Sequence, residues 1–299
     1  WLSGSGYREV VANSMQVRET AMLASSNIVE IANPLSKEMA ALRTSLIPGM
    51  LEIVRHNIFH GIKDLRLFEF GRVYLHDPEG AGTAWLKNFV EEERLLLAFT
   101  NMVQPASWDQ KGRIIDIFDV KGEVETMAGT ISLDKIKFIP YPTSNALTEV
   151  TLSLEINGQF AGMIGLVQEA LLKKYSIEQS VFVAELKPDI LSSGLVGKRM
   201  YKSPPRYPSV MRDIALIVDE EIPAGDLETL ISFAGHPLLQ KLSLFDIFVG
   251  DQVGSRKKSC AFALEFLAED RTLAADEVDR LMQKIISHVS AKLGARQRE

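Results

Sequence analysis

The chain contains a single cysteine, Cys260, and no long hydrophobic run. One cysteine excludes an intrachain disulfide and a cysteine-based metal site, so we expect a reducing, cytoplasmic environment. No apolar stretch approaches the roughly 20 residues that a membrane helix needs, which predicts a protein that does not span a membrane. The sequence starts at Trp1 without an initiator Met or a signal-type segment, and we interpret it as part of a longer protein.

An excess of positive charge is also lacking. The formal net charge is −6, and residues 201–299 hold 13 Lys and Arg against 15 Asp and Glu, a net charge of −2. Non-specific binding to nucleic acid requires neutralisation of many phosphates, and this charge balance argues against it. Any contact with RNA must therefore be local and specific for shape. The length of 299 residues predicts two domains, each with its own core.

The common catalytic signatures are missing as well. The chain has neither a G-x-x-x-x-G-K-[ST] phosphate loop nor a G-x-S-x-G elbow. His56 and His60 have the spacing of half a metal site on a helix, and Glu52 lies on the same face, but no further ligand is evident, which favours surface or interface histidines. Acidic residues near the start of a predicted helix at 114–130 are explained by the helix dipole. We therefore predict no catalytic residue and no metal site.

Apolar periodicity predicts both helices and strands in the first 200 residues. Ser36 is a plausible cap of a helix that extends to Leu46, and a second helix is predicted to begin at Pro48. The nearly continuous apolar run Leu65–Leu75 is typical of a strand that is covered on both faces. Of its three charged residues, Arg66, Glu69 and Arg72, the last two are interpreted as a structural ion pair.

A proline-rich stretch at 203–208, SPPRYP, marks the best domain boundary. Such a stretch forms a stiff, extended connector, so we divide the chain into domains of residues 1–202 and 203–299. The pattern after the boundary predicts a strand, a helix, two strands, a helix and a short final strand. This βαββαβ order is that of a ferredoxin-like fold, in which helices cover one face of the sheet and leave the other face free.

The hairpin predicted in the second domain carries a distinctive set of side chains. Asp246 and Phe248 are two residues apart on one strand, so both side chains leave it on the same face. Beyond the turn, Lys257, Lys258 and Ser259 add two cations and a hydroxyl group. Together these groups could bind an unstacked nucleobase and its phosphates. Alternatively, Phe248 packs in a core, Asp246 ends the strand, and the lysines are solvated.

Several segments of the chain resemble one family. NPLSKEMAALRTSLIPGML at 33–51, LRLFEFGRVY at 65–74 and DIFDVKGEVE at 116–125 resemble the core of the phenylalanyl-tRNA synthetase beta subunit. The region from YPSVMRDIALIVD at 207–219 through LFDIF, KKSCAF and DRTL resembles the anticodon-binding domain of that subunit. The likeness covers essentially the whole chain, in the order of the family.

The resemblance implies an α+β protein with two parts: a class II synthetase-like antiparallel-sheet domain without catalysis, and a ferredoxin-like (βαββαβ) anticodon-binding domain. The chain lacks the F-x-R-x-E and G-x-G-x-x-R patterns of catalytic members, in agreement with the loss of catalysis. The family enzyme is an (αβ)2 assembly that aminoacylates tRNA(Phe). Its alpha subunit uses ATP and Mg²⁺, so the resemblance implies no cofactor in this chain.

The resemblance also assigns roles in the second domain. The acid-x-aromatic pair of the family falls on Asp246 and Phe248, and its serine falls on Ser259. Phe248 would stack on an anticodon base, while Asp246 and Ser259 would bond to base edges. Lys257 and Lys258 are our own assignment as phosphate contacts.

An amino-acid-sensing regulatory protein with a degenerate synthetase fold is the alternative function. An open sheet face at Asp246, Phe248 and Ser259 would favour base stacking, whereas a closed pocket at an interface would favour a sensor. A general protein-interaction scaffold is a third possibility, and the specific pair of matching regions argues against it.

Overall fold

The computed structural model describes residues 1–77, 79–80, 88–131, 133, 136–141, 145–193 and 203–298. Contacts within the chain divide it into two compact units, residues 1–199 and 200–299. The boundary predicted between residues 202 and 203 adjoins undescribed residues and stays a prediction. Both units combine helices with largely antiparallel sheets, so the chain is an α+β protein.

The strands of the first unit are β1 (Arg8–Glu9), β2 (Met15–Gln16), β3 (Ala41–Leu42), β4 (Leu65–His76), β5 (Phe89–Thr100), β6 (Met102–Gln104), β7 (Arg113–Ile114), β8 (Ile136–Pro140), β9 (Thr148–Ile156), β10 (Gln159–Val167) and β11 (Val181–Leu186). Seven of them form one sheet in the order β1-β4-β5-β11-β10-β9-β8. The helices are α1 (Arg18–Ala21), α2 (Ile47–Phe59), α3 (Ile117–Thr130), α4 (Glu169–Lys174) and α5 (Pro188–Ser193).

Both faces of this sheet are covered by apolar cores. The short strand β1 runs parallel to β4, and the other neighbouring strands of the sheet are antiparallel. Successive side chains of a strand point to opposite faces. Accordingly, Leu67 of β4 packs in the core that contains α2, and Phe68 packs in the core that contains α3. The prediction of a strand covered on both faces is confirmed.

The prediction of a helix at 36–46 is wrong. Lys37–Met39 forms a single 3-10 turn, and the chain then enters β3, which pairs with β2. Arg43 holds the following segment in place. Its Nε donates to Arg72 O at 2.8 Å, and its Nη1 donates to Ala12 O at 3.3 Å. Non-local contacts thus override the local helical pattern. The second predicted helix is confirmed as α2, with proline in its first turn.

The predicted ion pair between Glu69 and Arg72 is also wrong. The two residues are three positions apart on β4, so their side chains leave opposite faces of the strand. Glu69 Oε1 instead lies 2.7 Å from Nη1 of Arg43, and both side chains are almost fully buried. Arg72 pairs across the hairpin with Glu91 and Glu93 of β5, at 2.6 and 3.3 Å.

The second unit has the βαββαβ order that the sequence predicts. Its elements are β12 (Val210–Asp219), α6 (Ala224–Gly235), β13 (Leu239–Val249), β14 (Lys257–Phe266), α7 (Ala275–Leu293) and β15 (Arg296–Gln297). The strands form an antiparallel sheet in the order β13-β14-β12-β15. Helices α6 and α7 pack on one face of it, around a core that includes Phe262 and Phe266.

Candidate nucleic-acid interface

The residues of the predicted site lie on the two paired strands β13 and β14. A bulge interrupts β13, and beyond it Phe248 pairs with Ser259 and Asp246 pairs with Ala261. Directly paired residues share one face of a sheet. Cys260, between them on β14, is buried in the core with the helices. Asp246, Phe248 and Ser259 therefore share the opposite face, as the sequence predicts.

We call this surface of the second unit, opposite α6 and α7, the open face. It consists of two rows across the sheet: Phe248, Ser259, Ile217 and Arg296 in one, and Asp246, Ala261, Ala215 and Arg298 in the other. The second row has two alanines at its centre. The side chains there are small, and the ends of the row carry the carboxylate of Asp246 on β13 and, next to β15, Arg298.

The two lysines point to different faces. Both are residues of β14 rather than of the loop. Lys257 pairs with Asp219 of β12 on the side of the open face, and its Nζ lies 2.8 Å from Oδ1 of that residue. Lys258 points to the other face, where its Nζ donates to Glu220 O at 2.8 Å. The structure thus places Lys257 beside the predicted site and Lys258 apart from it.

Phe248 is half-buried against two neighbours. The tip of its ring packs on Gly250, where an added Cβ would lie 3.0 Å from Phe248 Cζ. The guanidinium of Arg298 lies over the ring, with Cζ 4.9 Å from the ring centroid, in a cation–π contact. Arg298 Nη2 also donates to Gln252 Oε1 at 3.3 Å. Sequence reasoning missed Arg298 because a short terminal strand does not reveal where a long side chain will lie.

Asp246 and Ser259 differ in their access to solvent. Asp246 is exposed, so its carboxylate can accept hydrogen bonds from an incoming base edge. Ser259 lies beside Phe248 and is only 3% exposed. Its hydroxyl group can therefore reach a base only after a neighbouring side chain has moved.

A cavity of about 300 Å³ lies in the first unit. Phe160, Met163 and Glu185 are among the residues that line it. Oε1 of Glu185 accepts from Leu46 N at 2.8 Å and from Ser45 Oγ at 3.0 Å, while burial raises the pKa of the carboxyl group. The carboxylate therefore already has a structural role, because it bonds to the backbone at the start of α2.

No three His, Cys, Asp or Glu side chains are grouped to hold a metal ion within the described ranges. His56 and His60 stack on each other, with ring centroids 4.3 Å apart, and Nδ1 of His60 lies 2.7 Å from His56 O. Of the helices in the described part of the chain, none has the length and apolarity needed to cross a membrane.

Comparisons with known proteins agree with this geometry. Residues 205–298, which include the open face, match the model of the ferredoxin-fold anticodon binding domain. Residues 1–187 match the model of the phenylalanyl tRNA synthetase beta chain CLM domain. The chain therefore belongs to the phenylalanyl-tRNA synthetase beta chain family, as its sequence motifs indicate.

Its curated relatives are phenylalanine–tRNA ligase beta subunits. That of Salinibacter ruber is 35% identical over 100% of this chain and 38% of its own length. That of Bacillus subtilis is 31% identical over 96% of this chain and 35% of its own length. The chain thus spans less than two fifths of these relatives. Among solved structures, pyrrolysyl-tRNA synthetase from Desulfitobacterium hafniense aligns with a TM-score of 0.47 and 15% identity, over 64% of each chain.

Proposed function

We propose that this chain is the assembly and anticodon-binding part of a phenylalanine–tRNA ligase. The second unit binds the anticodon of tRNA(Phe), and the first unit, a class II synthetase-like domain, pairs with the alpha subunit in a cytoplasmic (αβ)2 enzyme. The observation that carries the proposal is the open face, which combines an aromatic ring, an exposed carboxylate and a floor of small side chains on a ferredoxin-fold anticodon-binding domain.

Each group on the open face has a distinct role in recognition. A base stacks on the Phe248 ring, which any base can do because every base has a π-face. Selectivity comes from Asp246, since an ionised carboxylate accepts hydrogen bonds but cannot donate them. It therefore favours base edges that present N–H groups. The hydroxyl group of Ser259 adds a second hydrogen bond once it is uncovered.

We further infer that β4 of the first unit does not bind ATP. Arg72, a cation of β4, is already paired with Glu91 and Glu93. The carboxylates of Glu91 and Glu93 lie on the same face of β5 as Arg72, so both would meet a triphosphate that approached this arginine. Coulomb repulsion disfavours that contact. We assign ATP and Mg²⁺ to the alpha subunit, and we expect this chain alone to be catalytically inactive.

The test uses the complex of this chain with a phenylalanyl synthetase alpha subunit. After the complex has been isolated, its affinity is measured for tRNA(Phe) with a matched or an altered anticodon. Phe248→Ala should weaken binding of the matched tRNA by about 1–3 kcal/mol, because one stacking contact is lost. The matched control is Phe233→Ala, an exposed phenylalanine on α6. Equal affinities for the two variants, or no dependence on the anticodon, would contradict the proposal.

The cavity at Glu185 favours a second candidate function, an amino-acid sensor. A part-buried carboxylate beside an aromatic ring could bind the ammonium group of a small ligand. The bonds that Glu185 already accepts at the start of α2 make this function the weaker candidate. Failure of the chain to bind the alpha subunit, together with a rise in melting temperature on addition of a free amino acid, would favour the sensor.

A further inference from the structure

The contact between Arg298 and Phe248 points to a further RNA-binding residue, an inference that rests on the proposed function. We propose that Arg298 covers the stacking surface of Phe248 in the free protein and exchanges with an anticodon base on binding. The displaced guanidinium then pairs with a phosphate of the RNA. Arg298 thus contributes to recognition in two states, first on the ring and then on the RNA backbone.

The first step of the argument is that Arg298 occupies the place of a base. A guanidinium group is planar and stacks on aromatic faces, as a nucleobase does. Its Cζ lies 4.9 Å from the centroid of the Phe248 ring, a distance that leaves no room for a base between the two groups. A base can stack on this side of the ring only after the guanidinium has left.

The second step is that Arg298 can leave easily. Its backbone is fixed, because its N–H donates to Ala215 O at 2.8 Å in register with β15. Its side chain is held more weakly, by the ring and by the neutral amide of Gln252 at 3.3 Å. No carboxylate within residues 203–298 forms an ion pair with it. A phosphate offers a guanidinium a stronger, bidentate partner than either of its present contacts.

The third step is that the predicted site requires such a movement. Ser259, in the same row as Phe248, is 3% exposed. Its hydroxyl group cannot contact a base edge until a neighbouring side chain has moved. Of the other cations at the open face, Lys257 is engaged by Asp219, and Arg296 lies at the far edge of the sheet from Phe248. Arg298 can supply both a movable side chain over Phe248 and a cation that forms no ion pair within residues 203–298.

The test compares variants of this chain in the complex with the alpha subunit. Binding of an anticodon stem-loop RNA is measured at several salt concentrations. Arg298→Ala should weaken binding several-fold at low salt, because the lost charge-assisted hydrogen bond outweighs the weaker cation–π contact that no longer competes with the base. It should also lower the slope of log affinity against log salt by about 0.7, the contribution of one phosphate on a single strand. Arg298→Lys should retain the slope.

The matched control is Arg280→Ala, which removes one positive charge from α7 on the opposite side of the sheet. It should leave both the affinity and the salt slope unchanged. In the free chain, the Arg298 Nε–H resonance should show a ring-current shift that disappears in Phe248→Leu and on addition of the RNA.

The outcomes separate this inference from the proposed function. If Phe248→Ala weakens binding but Arg298→Ala changes neither affinity nor salt slope, the role of Arg298 is overturned and the function stands. A ring-current shift that persists in the RNA complex also overturns the exchange. If the wild-type complex does not distinguish anticodons, the proposed function fails, and this inference fails with it.

Discussion

At the scale of single residues, Arg43 and Glu69 show how one buried ion pair joins distant parts of the first unit. Arg43 donates to backbone oxygens of Ala12 and Arg72, and Glu69 Oε1 accepts from Ala12 N at 3.3 Å. Glu69 Oε2 is buried and has no hydrogen-bond partner within the described residues. The pair is therefore incompletely satisfied, and its stability depends on both charges being present.

We predict that Arg43→Met destabilises the first unit by about 3–5 kcal/mol, because the carboxylate of Glu69 is left buried without a counter-charge. Urea denaturation of the whole chain measures the change. The double variant Arg43→Met/Glu69→Leu removes both charges and should recover part of the loss. A double variant that is no more stable than Arg43→Met would show that the lost hydrogen bonds to the backbone, rather than the unpaired charge, dominate.

The sequence alone predicts correctly which side chains share a face of the sheet where the geometry of one strand or one strand pair decides it. Alternation along one strand is enough to bring Asp246 and Phe248 to one face, and their pairing with β14 adds Ser259. The partners of Glu69 and Phe248 could not be predicted in the same way. Arg43 is 26 residues from Glu69 along the chain, and Arg298 reaches Phe248 from β15. Such contacts depend on the tertiary fold.

At the scale of secondary-structure elements, the two long helices α3 and α7 begin differently. Asp116 caps α3 and forms a capping box with Asp119. Hydrogen bonds from Arg113 lower the pKa of the Asp119 carboxyl, so this start is stabilised by charge as well. Helix α7 follows Ala274, which has no side chain that can cap it. Its first turn relies instead on backbone bonds, including Glu277 N to Ala274 O at 3.1 Å.

We predict that Ala274→Ser raises the free energy of unfolding of the second unit by about 1 kcal/mol, because a serine Oγ can accept from the N–H groups of the first turn. The measurement is the midpoint of denaturant unfolding. Ala291→Ser, at an exposed position in the last turns of the same helix, is the control and should be slightly destabilising. Equal effects of the two substitutions would show that capping is not the cause.

Some elements carry a strong local signal in the sequence. The Asn157-Gly158 turn joins β9 and β10 with positive φ angles of 52° and 80°, which glycine and asparagine tolerate best. Proline in the first turn located α2. The failure at 36–46 has a different origin, because there a helical spacing of apolar residues competes with the bonds that Arg43 makes to two other segments.

At the scale of the whole molecule, each unit has apolar cores of its own. Two cores sandwich the sheet of the first unit, and a third lies between the sheet and the helices of the second. Length and composition alone predicted this division, since 299 residues exceed what one core commonly organises. The roles of the two units could not be derived from composition and came from specific motifs.

We predict that calorimetry of the whole chain shows two unfolding transitions. Arg43→Met should lower the melting temperature of the transition of the first unit, and Ala274→Ser should raise that of the second unit. Each substitution changes the stability of only one unit. A single transition that both substitutions shift would instead show that the two units unfold cooperatively.

The bulge in β13 has a consequence beyond the register of Phe248. β13 is the outermost strand of its sheet, and it carries the exposed apolar side chains Phe245, Ile247 and Val249. A straight, apolar edge strand offers unpaired backbone groups to other chains and is a site of aggregation. The bulge twists and interrupts this edge, so a strand from another molecule cannot pair along its full length. The irregularity that brings Asp246 and Phe248 to the open face therefore also limits strand pairing at this edge of the sheet.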